Sequence, residues 1–336
     1  MTSNANPGMR VFLTGGTGLL GSHLAVELRE SGHEVVALHR KGADTMLLEA
    51  LGCSLFEGDV RDEAELLLGG MSGCTHVVHG AALVYAGRNW PKVRAVNVDG
   101  TRNVLRAAVR AGVGHAVHLS SVAVYGTVEG PVDETCPTDS DLPPDDLYAR
   151  SKREAEEVAR GMELKRGLPV TILRPSAVYG ERDRLMAPAL ARIVRLPLVP
   201  LFGRGDNTLP VVYAGNVASA IRLALAAGRG GETFDIGLDR PLTQRALFEM
   251  LAKGMGRRAR FVQLPVSLVR LGARLASRIG VSVPGAAHLP IERVARLALG
   301  ENPYPSRRIR EQLGWQPLHE HDDALFRTGR ELAAAR

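Results

Sequence analysis

Residues 10–14, Arg-Val-Phe-Leu-Thr, read as a short strand that runs at once into Gly15-Gly16-Thr17-Gly18-Leu19-Leu20-Gly21. Ser22–Ser31 then reads as an amphipathic helix closed by Gly32. A strand, a G-x-x-G-x-x-G turn and a helix in immediate succession leave few folds open. Gly15 permits the tight turn, Gly18 lets a pyrophosphate approach the backbone, and Gly21 lets helix and strand pack closely. The helix N-terminus adds unpaired amides and the positive end of its dipole at the same place. The unit predicts a dinucleotide-binding βα turn at the head of a parallel sheet.

The same alternation continues. Strands are expected at 34–39, 53–57, 76–80, 115–120 and 169–174. Helices are expected at about 44–51, 62–68, 97–111 and 146–166. Strands separated by helices imply right-handed crossovers and an α/β, doubly wound parallel sheet. After Gly180 the rhythm changes: 181–210 is rich in Arg and Pro, 240–256 looks helical, and a helical segment lies between Pro265 and Pro284. A strand-like piece, Glu232–Ile236, returns to the sheet. The expected organisation is a dinucleotide-binding Rossmann domain over 9–180, with a returning segment at about 211–237. A smaller, discontinuous substrate lobe takes 181–210 and 238–330.

At 336 residues the chain can bury a full core. A net charge of +6, spread along the chain with few aromatics, fits an anionic cofactor and is no nucleic-acid footprint. Cys53, Cys74 and Cys136 show no metal spacing, so reduced thiols and no metal are expected. No secretory h-region or membrane-length apolar run is present, and a cytoplasmic protein without stable membrane insertion is the expectation. In 264–280, Leu268, Leu271, Leu275 and Ile279 form an apolar stripe, with Arg270, Arg274 and Arg278 on another face. That helix reads as a lobe helix with a solvated Arg face; contact with a membrane surface or an apolar substrate's entrance is the alternative.

The end of the second strand bears on the choice of dinucleotide. A carboxylate there favours NAD by binding the ribose hydroxyls. This chain has Leu38-His39-Arg40-Lys41 instead. Arg40 can stack on adenine or pair with a 2′-phosphate, so NADP(H) is expected over NAD(H), with NAD(H) the alternative.

Tyr148 and Lys152 stand four residues apart in an Ala/Glu/Arg-rich run. In a helix they share one face, about 5–6 Å apart at Cβ. A free tyrosine ionises near pKa ~10, and an ammonium on the next turn favours its phenolate. The spacing occurs by chance in many helices; the glycine turn and the upstream Ser120-Ser121 pair give it weight.

Together these segments resemble the extended short-chain dehydrogenase/reductase family, part of the NAD-dependent epimerase/dehydratase superfamily, over nearly the whole chain. Thr14–Gly21 matches its cofactor turn. Gly58-Asp59-Val60 is similar to the segment whose carboxylate meets the adenine amino group. His79-Gly80-Ala81-Ala82 resembles the small-residue turn beside the cofactor, and Asn97-Val98-Asp99-Gly100-Thr101 the helix start bearing the family's asparagine. Leu119–Gly126 resembles the strand end with the catalytic hydroxyl, at Ser121, and Tyr148/Lys152 the Y-x-x-x-K pair. Arg174-Pro175-Ser176-Ala177-Val178-Tyr179-Gly180 resembles the segment running past the nicotinamide.

The resemblance implies roles. Tyr148 would exchange the proton of the substrate oxygen, Ser121 would hydrogen-bond that oxygen, and Lys152 would bind the nicotinamide ribose and keep Tyr148 acidic. Asn97 is open between a proton relay and satisfaction of backbone groups. Ser120 is expected to pack at the strand end. The cofactor would lie along Gly15, Thr17, Gly18, Leu19, Leu20, Gly21, Arg40, Asp59, Val60, Ala81, Ala82, Pro175, Ser176 and Val178. A homodimer through the Tyr148 helix is implied by analogy.

Nucleotide-sugar members of the family usually carry Asn where this chain has Ala177 and a diphosphate-binding Arg where it has Leu209. Both departures remove polar contacts that a diphosphate needs, although Arg182, Arg184, Arg192 and Arg204 offer other cations. The 174–185 pattern is closer to the 3β-hydroxysteroid dehydrogenase and dihydroflavonol reductase branches. A hydride transfer between NADP(H) and a secondary alcohol or ketone of a largely apolar small molecule is therefore expected. A nucleotide-sugar epimerase or dehydratase is the alternative. The intact Ser121/Tyr148/Lys152 set disfavours a scaffold without turnover.

Overall fold

The fold is that of a computed structural model describing residues 8–84, 89–126, 130–138, 142–278 and 298–334. Its strands are β1 (Arg10–Thr14), β2 (Glu34–His39), β3 (Ser54–Glu57), β4 (His76–His79), β5 (His115–Leu119), β6 (Val170–Pro175), β7 (Ala177–Tyr179), β8 (Val199–Phe202), β9 (Val211–Tyr213), β10 (Thr233–Ile236) and β11 (Phe261–Leu264). Its main helices are α1 (Leu19–Glu30), α2 (Met46–Ala50), α3 (Ala64–Leu67), α4 (Trp90–Arg94), α5 (Gly100–Arg110), α6 (Leu147–Arg166), α7 (Met186–Val194), α8 (Ala214–Ala227), α9 (Gln244–Gly254), α10 (Val266–Arg278), α11 (Arg307–Leu313) and α12 (His321–Ala334).

Seven strands form one parallel sheet in the order β3-β2-β1-β4-β5-β6-β10. The order reverses between β1 and β4, and a crevice at the carboxyl ends of strands on either side of such a reversal is where open α/β sheets bind ligands. β10 pairs with β6, Ile236 opposite Pro175, so the chain returns to the sheet after leaving it at Pro175. Each face is covered by its own apolar layer. On one side Leu24, Leu28, Val217, Ile221 and Trp315 pack together; on the other, Phe12, Met71, Val104, Leu105 and Ala159. Beyond the sheet, β8 pairs with β11 and β7 with β9, and Tyr179, Leu201, Leu209, Leu247 and Leu251 form a separate cluster.

The structure differs from the sequence expectations in three places. The helix expected at 97–111 begins earlier: α4, a π turn at Ala95–Asp99 and α5 run on without a break. The helix expected at 62–68 is one short turn, α3, followed by a 3₁₀ turn, Leu68–Met71. Within the returning segment, Ala214–Ala227 is the helix α8, packed along α1 and closed by Gly228 in the left-handed conformation. All three cysteines are free thiols. In α10, Leu268, Leu271 and Leu275 are more than half exposed; Ile279 lies outside the described residues. Among the described residues no helix is long and apolar enough to cross a membrane.

The glycine turn explains how α1 meets the sheet. Gly15 has φ +79°, and a Cβ on it would press on the backbone of Gly80 and Ala81. A Cβ on Gly21 would run into the Gly15 carbonyl, so α1 can cross the turn at this distance only with glycine there. Gly21→Ala is therefore expected to cost about 1–3 kcal/mol through forced displacement of the turn, read as a fall in the thermal unfolding midpoint.

Candidate active site

The residues singled out in the sequence converge on one edge of the sheet, at the carboxyl ends of β1, β4, β5 and β6. Strand register fixes this: Thr14 is opposite His79, His79 opposite His118, and Leu119 opposite Leu173. Gly15, Thr17, Gly18, Leu19, Leu20 and Gly21 wrap the start of α1. Gly18 is the N-cap residue, so no side chain occupies the first amides, and the first turn holds no acid. This uncapped, glycine-lined helix end suits an anionic phosphate group.

Arg40 is exposed at the end of β2, close enough to Asp59 to lower its pKa. Asp59 is gripped by Arg61, whose Nε and Nη2 donate to its two oxygens at 3.0 and 2.9 Å. That fork holds the Asp59 pKa below the usual range. Val60 is buried against Gly100. Ala81 and Ala82 follow β4, and the Ala81 amide donates to Thr14 Oγ1 at 3.1 Å. Pro175 ends β6, Val178 packs on the sheet core, and Ser176 Oγ donates to the Gly237 carbonyl at 3.1 Å, which ties β6 to the strand beside it.

α6 starts where Asp146 caps it, its carboxylate accepting the Ala149 amide at 3.1 Å, and ends at left-handed Gly167. Tyr148 and Lys152 face the same way; Lys152 Nζ lies 5.9 Å from the centre of the Tyr148 ring. Lys152 is 5% exposed, and its ammonium donates to the Leu119 carbonyl at the end of β5, at 2.6 Å. Burial lowers its pKa from 10.5 to about 8, opposed by the charge of Glu156 one turn along. Ser121 caps a 3₁₀ turn, Val122–Tyr125, and its Oγ accepts the Ala123 amide at 3.2 Å. Ser120 is buried beside Glu156. Asn97 sits in the π turn: its Nδ2 donates to Ser151 Oγ at 2.8 Å and to the Leu83 carbonyl at 3.1 Å, while its Oδ1 accepts the Leu83 amide at 2.7 Å.

The pattern of residues across 11–237 matches the NAD dependent epimerase/dehydratase family. The chain belongs to that family. It is an oxidoreductase-type enzyme of the extended short-chain dehydrogenase/reductase superfamily. One relative is a 4-hydroxy-2-methyl-3-oxo-4-farnesyl-3,4-dihydroquinoline-1-oxide ketoreductase of Stigmatella aurantiaca, 30% identical, the match covering 94% of this chain and 95% of the relative. A 3 beta-hydroxysteroid dehydrogenase/Delta 5→4-isomerase of Mycobacterium tuberculosis is 27% identical, covering 94% and 88% of the two chains. Among solved structures, the dTDP-glucose 4,6-dehydratase DesIV of Streptomyces venezuelae, with NAD bound, superposes with a TM-score of 0.74 at 28% identity, covering 98% of each chain.

In this family member a buried polar network that the sequence motifs do not announce lies behind the site. Arg174 forks onto Glu156 at 2.8 and 2.6 Å and donates to Tyr125 Oη at 2.7 Å; Tyr125 donates to Asp235 at 2.8 Å. Burial would raise the Glu156 pKa, but the Arg174 fork holds it below the usual range. Burial, then the charge of Glu134, raises Asp235 to about 7. The Y-x-x-x-K-x-x-x-E spacing on α6 was the available signal for Glu156, since it places the acid one turn beyond Lys152 on the same face.

The lysine makes a prediction with a definite sign. Its folded pKa lies below its unfolded value, so between pH 8 and 10.5 the unfolded chain binds more protons. The contribution of this group to stability therefore improves as pH rises through that window, and Lys152→Met is expected to remove the improvement. NMR titration of labelled lysine side chains is expected to show one midpoint near pH 8, absent in the variant.

Proposed function

We propose that this protein transfers a hydride between NADP(H), preferred over NAD(H), and a secondary alcohol or ketone on a largely apolar small molecule. The carrying observation is the apolar pair at 177 and 209. Leu209 is buried in the cluster with Tyr179 and Leu247, and Ala177 packs on the same cluster. Neither of these two side chains offers a sugar diphosphate a donor or a cation, and burying its charge unpaired is costly. Arg204 pairs with Asp206 at the surface, and Arg182 donates to Ser22 on α1, so both already have partners. Two relatives named for reducing ketones on farnesyl- or alkyl-bearing molecules support the same reading. The likeness to DesIV keeps nucleotide-sugar dehydration or epimerisation as the second reading.

In this reading the glycine turn, Asp59, Val60, Ala81, Ala82, Pro175, Ser176 and Val178 hold the cofactor, and Arg40 takes its 2′-phosphate. When bound, the nicotinamide supplies the hydride to the carbonyl carbon, or accepts it in the reverse direction. Tyr148 gives its phenolic proton to the carbonyl oxygen on reduction and recovers it from the alcohol on oxidation. Ser121 has an oxygen lone pair engaged by the Ala123 amide, which leaves its proton for the same substrate oxygen. Lys152 spends one of three donors on Leu119 and keeps two for the ribose and for holding the phenolate. Segments 181–210 and 238–330 receive the substrate, and a cytoplasmic homodimer through α6 completes the proposal.

Purified enzyme with NADPH and a panel of 3-oxo esters, other apolar ketones and nucleotide sugars decides between the readings by cofactor absorbance. Stoichiometric NADPH consumption with a ketone is expected; conversion of dTDP-glucose without net consumption overturns the reading. Tyr148→Phe is expected to lower kcat roughly 100- to 10,000-fold and to leave the Kd for NADPH within about twofold. Arg40→Ser is expected to weaken NADPH binding about tenfold, through loss of a charged contact, with little effect on NADH; fluorescence titration reads both.

A further inference from the structure

Thr14 ends β1 immediately before the glycine turn, and His79 ends β4 beside it. Thr14 Oγ1 accepts the amides of Gly80 and Ala81 at 3.2 and 3.1 Å and lies 2.8 Å from His79 Nδ1. The Gly80 amide is shared with the Thr14 carbonyl, also at 3.2 Å, so the direction of the bond to the ring is set from its far side. At the far side, His79 Nε2 lies 3.0 Å from Thr101 Oγ1, and Thr101 donates its own proton to the Asn97 carbonyl at 2.6 Å. The ring must therefore donate from Nε2 and accept at Nδ1. His118 stacks on it at 5.6 Å. Burial, then the charge of Lys152, lowers the His79 pKa to about 3, in keeping with a neutral ring.

The chain does not stop at Asn97. That residue sits in the π turn between α4 and α5, where helical bonding is locally irregular. Its carbonyl is held by Thr101, and its side-chain amide joins Leu83 to Ser151, whose hydroxyl donates to the Tyr148 carbonyl at 2.8 Å. Two hydrogen-bonded series that meet in Asn97, one at its carbonyl and one at its side chain, thus link the strand feeding the glycine turn, across β4 and the π turn, to the first turn of α6.

We infer that Thr14, His79 and Thr101 are positioning residues: a one-directional hydrogen-bonded chain that fixes the π turn, so that Asn97 holds the 81–84 loop and the Tyr148 helix in register with the glycine turn. Fully satisfied buried networks of this kind select one arrangement, and a single missing member exposes its neighbours to an unpaired-group penalty. The inference rests on the oxidoreductase reading only for its kinetic readout.

Three measurements on the full chain test it. In ¹⁵N-histidine NMR of the wild type, His79 is expected as the neutral Nε2–H form with no titration between pH 5 and 8; an Nδ1–H form or a protonated ring overturns the direction of the chain. In hydrogen exchange, Thr101→Val, which keeps the shape and removes the hydroxyl, is expected to speed exchange at Leu83 and across 147–151 at least tenfold relative to β2, with Thr101→Ser restoring protection. Unchanged exchange at those sites overturns the positioning role. With NADPH and a 3-oxo ester, Thr101→Val is expected to lower kcat about tenfold or more while the KM for NADPH stays within about twofold, and Thr101→Ser to recover most of kcat. Equal kcat in wild type and Thr101→Val also overturns it. If the wild type turns over no ketone, the functional reading fails, while the NMR and exchange results still decide the chain. The wild-type tautomer needs no variant, so a Thr101→Val protein that does not fold leaves the inference open to refutation.

Discussion

A lysine ammonium held inside the protein is the constraint around which this site is arranged. Lys152 is 5% exposed, and its Nζ donates to the carbonyl of Leu119. Removing an ammonium from water is expensive unless partners replace the hydration. Its depressed pKa expresses the part of that cost which is not offset. The surroundings fit this picture. Burial first, and then the Lys152 charge, lowers the pKa of His79 and His118 beside it, so both rings stay neutral. Glu156, one helical turn away, supplies the opposing charge. A helix ammonium aimed at the end of β5 also fixes where α6 crosses the sheet, and with it the position of Tyr148.

Glu156 in turn cannot be left to Lys152 alone. It is buried, and its two oxygens are taken by the Arg174 fork from β6. Arg174 hands on to Tyr125 and Asp235, so α6, β6, the 3₁₀ turn after Ser121 and β10 share one polar network. The return of the chain to the sheet contributes here: β10 pairs with β6 and brings Asp235 to the far end of a series that begins at Glu156. At the network's outer end, burial and then Glu134 raise the Asp235 carboxyl to about 7, so it is partly protonated at neutral pH.

Motifs carried by local spacing were legible in the sequence: the turn at 15–21, the Tyr148/Lys152 pair on one helix face, and the alternation that builds six parallel strands. Each depends on residues a few positions apart. Three features escaped for physical reasons. α8 is buried on nearly every side from Ala214 through Leu225, and its few polar residues, Asn216, Ser219 and Arg222, are buried or half-buried themselves, so it gives little amphipathic contrast to read. The π turn at Ala95–Asp99 depends on contacts from Leu83 and Ser151, 14 and 54 residues away along the chain. His79 looks like one more apolar-strand histidine until register brings Thr14 to one of its nitrogens and Thr101 to the other. Pairings across 65 and 22 residues leave no mark in a local pattern.

The fold is shared by relatives named for ketone reduction and by relatives named for sugar dehydration. In the proposed reading the tyrosine, lysine and glycine turn serve proton exchange at a carbinol oxygen and cofactor binding, which both chemistries require, so they cannot tell them apart. Discrimination must come from how the rest of the substrate is solvated once water is displaced. A diphosphate carries charge into the cleft and needs a cation or several donors in return. An apolar tail needs surface that loses little by leaving water. Leu209, buried with Tyr179 and Leu247 where a charged partner would have to stand, provides the second kind of environment and withholds the first. On the proposed reading, selectivity belongs to the segments outside the sheet, where neutral side chains can replace polar ones without disturbing the strand ends beside Tyr148 and Lys152.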